Sequence, residues 1–138
     1  MVRPNISEPL PSSVKLAAGL FVAYGMAVVL NATAIQGASS WVGAGEFPRA
    51  LIRLFGTGVI GWGLLRRARW AWWIGLIFAA FWLVADALPV LVIERGDVYW
   101  LRPGGYQSFL VVSLLCLGLA VALLLSPSVR AVFRRPAA

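Results

Sequence analysis

The stretch WAWWIGLIFAAFWLVADALPVLVI, residues 70–93, decides the fold, and Asp86 is its single charged residue. A helix needs about 20 consecutive apolar residues to cross the hydrocarbon core of a membrane. Because that core offers no water, the backbone polar groups must be satisfied within the segment, as they are in a helix. The stretch therefore predicts a membrane-spanning helix.

The rest of the chain has the same character. Of its 138 residues, 61% are hydrophobic and only 12% are charged, and the mean hydropathy is +0.86. A soluble domain is about a quarter charged, and a soluble fold of this size could not hide so much apolar surface. We expect an all-α integral membrane protein with a single membrane domain over residues 1–138.

Four apolar segments predict an antiparallel bundle of four transmembrane helices with short N- and C-terminal tails. The second segment is short by itself, and it is expected to begin near Pro48, a residue suited to the first turn of a helix. The predicted helices cover about residues 14–35, 48–66, 70–93 and 108–125.

Basic residues predict the orientation, because cytoplasmic loops carry an excess of Lys and Arg. Eight of the twelve basic residues fall on one side if both termini are cytoplasmic, with the loops near 36–48 and 94–107 outside. We expect the chain to lie in the bacterial inner (cytoplasmic) membrane. The eight are Arg3, Lys15, Arg66, Arg67, Arg69, Arg130, Arg134 and Arg135.

Tryptophan residues at the predicted helix ends favour the same arrangement, since their amphipathic rings concentrate at membrane–water interfaces. Ligand binding by the tryptophan cluster is the alternative interpretation. The expected interfacial anchors are Trp70, Trp72 and Trp73 on the inner side and Trp41 and Trp100 on the outer side.

The stretch LFGTGVIGWG, residues 54–63, contains G-x-G-x-x-G, a pattern typical of dinucleotide-binding loops. That fingerprint needs a preceding strand and a soluble βαβ unit, and the chain has neither pattern. Glycine in membrane helices instead lets two backbones approach closely. We expect Gly56 to face Ala79 and Gly63 to face Trp72, with Gly75 on the same face as Ala79.

Asp86 is the one acid inside the apolar segments, and burying a charge in a membrane is costly. In a hairpin closed by residues 66–69, positions of the second and third helices whose numbers sum to 135 share the same depth. This register brings Asp86 near Arg49 and Arg53, which predicts an intramembrane ion pair. The alternative is a small-molecule pocket in the Asp86–Pro89 region with Arg49, Arg53 and Trp82.

Several kinds of chemistry lack their residues. The chain has no His, and its single cysteine, Cys116, lies in an apolar run. His-ligated cofactors, cysteine-pair metal sites and His-based catalytic pairs are therefore excluded. We expect no enzyme activity, no cofactor, no metal and no nucleic-acid partner.

The partners expected are membrane lipids and other membrane protein subunits. The sequence favours a non-catalytic accessory subunit that stabilises a larger respiratory, photosynthetic or transport complex through helix packing and outer-loop contacts. The layout of four helices with a short basic turn after the second resembles the small DoxX-like bacterial membrane proteins, in layout and length. A binding or carrier protein of that type for a lipid, quinone or solute is the alternative.

Overall fold

The computed structural model of the chain describes residues 9–38, 46–93 and 105–134. All regular structure in these ranges is helical, and there are five helices. They are α1 (Ser12–Ala38), α2 (Glu46–Leu65), α3 (Arg69–Ile93), α4 (Gly105–Leu125) and α5 (Pro127–Arg134).

Three of the described helices are long and apolar enough to cross a membrane. Their spanning windows are Ser12–Thr33, Arg69–Leu88 and Ser108–Leu125. The second helix is not among them, although the sequence predicted four spans. Its 20 residues are long enough, but Glu46, Arg49 and Arg53 in its first half lower its hydropathy.

Large apolar side chains cover much of the outer surface of these helices. On α2, Ile52 is 72% exposed and Phe55 is 75% exposed, and on α3 Leu91 is 74% exposed. Exposed apolar surface on this scale marks a surface that contacts a membrane or another protein. The surface of α2 is therefore apolar even though its sequence is less so.

The most extensive helix contact joins α1 to α2, which run antiparallel. Gly25 permits the close approach, because a Cβ built there would collide with the Thr57 side chain and lie 3.2 Å from the Leu54 Cα. Further along the contact between α1 and α2, a Cβ on Gly61 would lie 3.4 Å from the Ala18 carbonyl oxygen. Glycine therefore sets the distance between these two helices.

A tight turn at residues 66–68 joins α2 to α3. The amide of Ala68 donates to the Gly63 carbonyl (2.9 Å) and the amide of Arg67 donates to the Leu64 carbonyl (3.0 Å). These two bonds form a Schellman motif, which satisfies carbonyls that a helix end leaves unpaired. Arg67 takes the left-handed position with φ 57°, where glycine is the usual residue. We call this end of the helices the turn end.

Contacts between α2 and α3 agree with the register expected from the sequence. The Arg53 guanidinium stacks on Trp82, and a Cβ on Gly75 would lie 3.0 Å from Ile60 Cγ2. Both pairs of residue numbers sum to 135.

The small residues of this hairpin lie in different surroundings. Ala79 is fully buried, but a Cβ built on Gly56 would meet nothing within 4 Å, so Gly56 borders open space rather than Ala79. A Cβ on Gly63 would lie 2.6 Å from the Ala71 Cβ and 3.0 Å from the Trp70 ring. Gly63 therefore packs one residue away from its expected partner, Trp72.

The helix α1 contributes the two fully buried aromatic side chains of the core. Phe21 and Tyr24 are both fully buried, and each ring centroid lies 6.3 Å from that of Phe78 on α3. Edge-on and tilted arrangements of this kind are favourable beyond the apolar area that they bury. These ring contacts join α3 to α1, whose more extensive contacts are with α2 and α4.

The eight-residue helix α5 occupies a segment that the sequence analysis assigned to the C-terminal tail. Ser126 precedes it, and the Ser126 carbonyl accepts from the Arg130 amide at 3.0 Å. Pro127 then takes the first helical position, which suits its fixed φ. Val129 and Phe133, four residues and about one helical turn apart, are both buried. This inward face packs α5 against α1, α3 and α4.

The α1–α2 crossing gives a test at two glycines of the same helix. We expect Gly25→Ala to lower the free energy of unfolding by about 1–3 kcal/mol, because the new methyl group overpacks against Leu54 and Thr57. Gly19→Ala is the control, since a Cβ there meets nothing within 4 Å, and it should be neutral or stabilising by up to about 1 kcal/mol. Unfolding of the detergent-purified chain measures both. Equal effects of the two substitutions would contradict the crossing.

Candidate functional site

Four helices each place a polar side chain near one point in the interior. The residues are Tyr24 on α1, Arg53 on α2, Asp86 on α3 and Ser113 on α4, which act on one another electrostatically or through hydrogen bonds. We call these four residues the polar cluster. Polar residues of this kind inside membrane helices face the protein interior and pair with one another.

Ser113 joins α4 to α3. Its hydroxyl donates a hydrogen bond to Asp86 Oδ2, and the serine is fully buried. A carboxylate needs donors, and a serine hydroxyl can turn its hydrogen toward one. This bond therefore satisfies one oxygen of the acid within the bundle.

Arg53 places its charge on an aromatic face. Its Cζ atom lies 3.6 Å from the centroid of the Trp82 ring. A guanidinium over tryptophan is a cation–π contact, and such contacts are strongest where water is excluded. From this position Arg53 acts electrostatically on Asp86, so it is held by Trp82 and attracted by the acid.

Tyr24 carries the unfilled hydrogen-bonding capacity of the cluster. Its hydroxyl lies near Arg53 and Ser113, but its oxygen is buried and completes no hydrogen bond with any residue that the structure describes. A buried tyrosine hydroxyl usually finds a partner. The cluster therefore presents one polar group that a water or a small ligand could engage.

The predicted ion-pair residues lie at this cluster to different degrees. Arg53 and Asp86 are both members, whereas the Arg49 side chain, one turn earlier on α2, is exposed. The direct partners are Trp82 for Arg53 and Ser113 for Asp86. The ion pair of Asp86 with Arg49 and Arg53 stays a prediction.

The predicted tryptophan anchors divide in a similar way. Trp70 and Trp73 are exposed at the turn end. Trp72 is half-buried, and its indole Nε1 donates to the Leu124 carbonyl at 3.0 Å, one of the carbonyls that the end of α4 leaves unpaired. Trp72 therefore joins α3 to α4, while Trp41 and Trp100 lie outside the described residues.

Sequence reasoning missed two members of the cluster. The sequence predictions singled out neither Ser113 nor Tyr24. Tyr24 is the one tyrosine inside the four apolar segments, which was an available signal. Nothing in the sequence alone could show that Ser113 faces Asp86, because that depends on how α4 is rotated.

The cluster offers hydrogen-bond donors and a single carboxylate. Among the described residues, no three His, Cys, Asp or Glu side chains come together as a metal site would require. The arrangement can fix four helices to one another, or it can hold the polar group of a small molecule next to Tyr24 and Asp86.

Comparisons with protein-family models, with curated proteins and with solved structures find no match to this chain.

The contact between Arg53 and Trp82 gives a matched pair of substitutions. Arg53→Gln should lower the free energy of unfolding by about 1–2 kcal/mol, because a partly buried cation–π contact is lost. Arg66, whose Cζ lies 4.1 Å from the Trp62 ring, is exposed, so Arg66→Gln should cost less. Denaturant unfolding in detergent measures both. A loss at Arg53 no larger than that at Arg66 would count against the cluster as an anchor for α2.

Proposed function

We propose that this chain is a non-catalytic helical subunit of a larger membrane complex, which it stabilises by packing its helices against those of a neighbouring protein. The observation that carries the proposal is a pair of small residues on α1 that the chain itself leaves unpacked. These are Gly19 and Ala23, both of them exposed.

Gly19 and Ala23 lie four residues apart and so share one face of α1. A Cβ built on Gly19 would meet nothing within 4 Å, so this glycine does not serve the α1–α2 contact as Gly25 does. A small-xxx-small pair on a membrane helix lets a second helix approach closely. Its free face, flanked by the exposed Leu16 and Met26, suits a helix from another chain.

A second opening of this kind occurs on α2. Gly58 is exposed, and a Cβ there would also meet nothing within 4 Å. Phe55 (75% exposed) and Trp62 (53% exposed) project from the same side of the helix. A glycine between two exposed aromatic rings leaves a recess in the apolar surface. Such a recess supports contact with a helix of another protein whose side chains fill it, rather than with lipid alone.

We propose further that α2 is a fourth span, so that α1–α4 form an antiparallel bundle. The exposed apolar side of α2 and its antiparallel packing on α1 support this arrangement. The described arginines at the turn end, with those of α5, support placing this end and both termini in the cytoplasm of a bacterium. The larger complex that we propose for this chain is a respiratory, photosynthetic or transport complex.

Assembly can be separated from folding at α1. The double substitution Gly19→Leu/Ala23→Leu should abolish co-purification of stoichiometric membrane partners from the native membrane in mild detergent, because the bulk fills the docking face. Thermal unfolding of the isolated chain should change little, since the face is open. Ala80→Leu, at an exposed small residue of α3, is the control and should retain the partners. A wild-type chain that purifies as a clean monomer would contradict the proposal.

A small-molecule binder of the DoxX-like type is the second candidate, and the unpartnered Tyr24 hydroxyl favours it. A lipid, quinone or solute would then accompany the wild-type chain through the same purification. Tyr24→Phe, which removes only the hydroxyl, should release it while partner proteins are unaffected. Mass spectrometry of the purified material distinguishes the two candidates, and a bundle free of small molecules would remove this one.

A further inference from the structure

A pocket of about 240 Å³ lies at the turn end, between the start of α3 and the helix α5. It is far from the polar cluster and separate from the face of Gly19 and Ala23. Three of the six side chains that line it are arginines and three are aromatic. They are Arg69, Trp72, Trp73, Arg130, Phe133 and Arg134.

The positive charge of this pocket has no acidic side chain near it in the sequence. Residues 47–85 and 98–138 contain neither Asp nor Glu, and these ranges include every residue that lines the pocket. Three guanidinium groups around one cavity repel one another unless an anion lies between them. No acidic side chain of these segments is therefore available to neutralise them.

Arg130 adds a geometric indication of a missing partner. Its Nε atom is buried and has no hydrogen-bond partner among the described residues. A buried donor without a partner is costly, because the group has lost its water and gained nothing in return. An arginine side chain presents its donors in a planar fork that matches the oxygens of a phosphate group.

Contacts within the protein position the aromatic side chains of the pocket. Trp72 is fixed by its bond to the Leu124 carbonyl at 3.0 Å, and the Trp73 ring packs edge-on against it with centroids 4.8 Å apart. Phe133 is a buried residue of α5. The indole donor of Trp72 is thus already used, so this side of the pocket offers apolar surface to whatever the arginines bind.

We propose that this pocket binds the headgroup phosphate of an anionic membrane phospholipid. The phosphate lies among the guanidinium groups of Arg69, Arg130 and Arg134, and the glycerol and upper acyl chains lie against Trp72 and Trp73.

The aromatic lining favours a lipid over a free phosphate ion, and the volume excludes a large ligand that is wholly enclosed. The pocket places cationic and aromatic side chains next to each other at a helix end, which is how basic pockets at the cytoplasmic side of membrane proteins bind lipid headgroups. Its volume is below the roughly 300–1,000 Å³ of sites that enclose whole drug-sized ligands. The pocket therefore suits a headgroup whose acyl chains stay in the membrane.

The experiment titrates the delipidated chain, in a zwitterionic detergent, with short-chain phosphatidylglycerol, short-chain phosphatidylcholine or inorganic phosphate. The readout is the shift in unfolding temperature, which yields an apparent affinity because a ligand that binds the folded state stabilises it. Native mass spectrometry counts the lipids that stay bound.

Two double variants remove the same charge from the same end of the molecule. Arg69→Gln/Arg130→Gln removes two pocket arginines, and Arg66→Gln/Arg67→Gln removes two arginines of the neighbouring turn that do not line it. We expect phosphatidylglycerol to bind the wild type and the turn variant alike, and the pocket variant at least about tenfold more weakly, the loss expected for one charge-assisted hydrogen bond.

Each ligand gives a definite outcome. One phosphatidylglycerol retained per chain, with little response to phosphatidylcholine or phosphate, supports the lipid site. Equal weakening by the two double variants would show diffuse surface charge and overturn the proposal. Inorganic phosphate as effective as the lipid would also overturn it, in favour of a free-anion site, and so would a wild type that responds to no ligand.

Discussion

The stacking of Arg53 on Trp82 is the interaction on which the proposed membrane crossing of α2 depends. This helix has the length to span a membrane but carries charges in its first half, and an unsheltered guanidinium in hydrocarbon is expensive. The ring at 3.6 Å and the charge of Asp86 shelter it on the α3 side. Gly25 and Gly61 let α2 lie close to α1 on the other side. We infer that α2 is stabilised in the membrane by its neighbours rather than by its own hydropathy.

Other buried polar groups are also paired with partners inside the protein. Asp86 accepts from Ser113, and the Leu124 carbonyl at the end of α4 accepts from Trp72. The exceptions are the Tyr24 hydroxyl and the Arg130 Nε, both buried and without a partner among the described residues. The first belongs to the polar cluster, and the second belongs to a residue that lines the pocket at the turn end. In a bundle that otherwise pairs its buried polar side chains, these two positions are where binding partners are expected.

Hydropathy and the position of the turn allowed the helix bounds and the register between α2 and α3 to be predicted from the sequence. The four long helices begin and end within three residues of the expected bounds, and the α2–α3 register holds at Arg53 and Trp82 because a short turn fixes it. Rotation of a helix about its axis is set by packing instead. That is why Ser113 and Tyr24 were missed, and why Gly56 borders open space although the sequence predicted that it faces Ala79. The helix α5 was missed because it is short, with only Val129 and Phe133 facing inward.

The positions of the two chain ends show whether α2 crosses the membrane, because a fourth span places both ends on the same side. In a Cys116→Ala background, single cysteines at Ser7→Cys, Ser40→Cys and Ala137→Cys are exposed to a membrane-impermeant maleimide in intact cells. With four spans, the cysteine at position 40 should react at once, and those at positions 7 and 137 should react only after the membrane is opened. If α1, α3 and α4 were the only spans, the two ends would lie on opposite sides. Reaction at one end but not the other in intact cells would show that α2 does not cross the membrane.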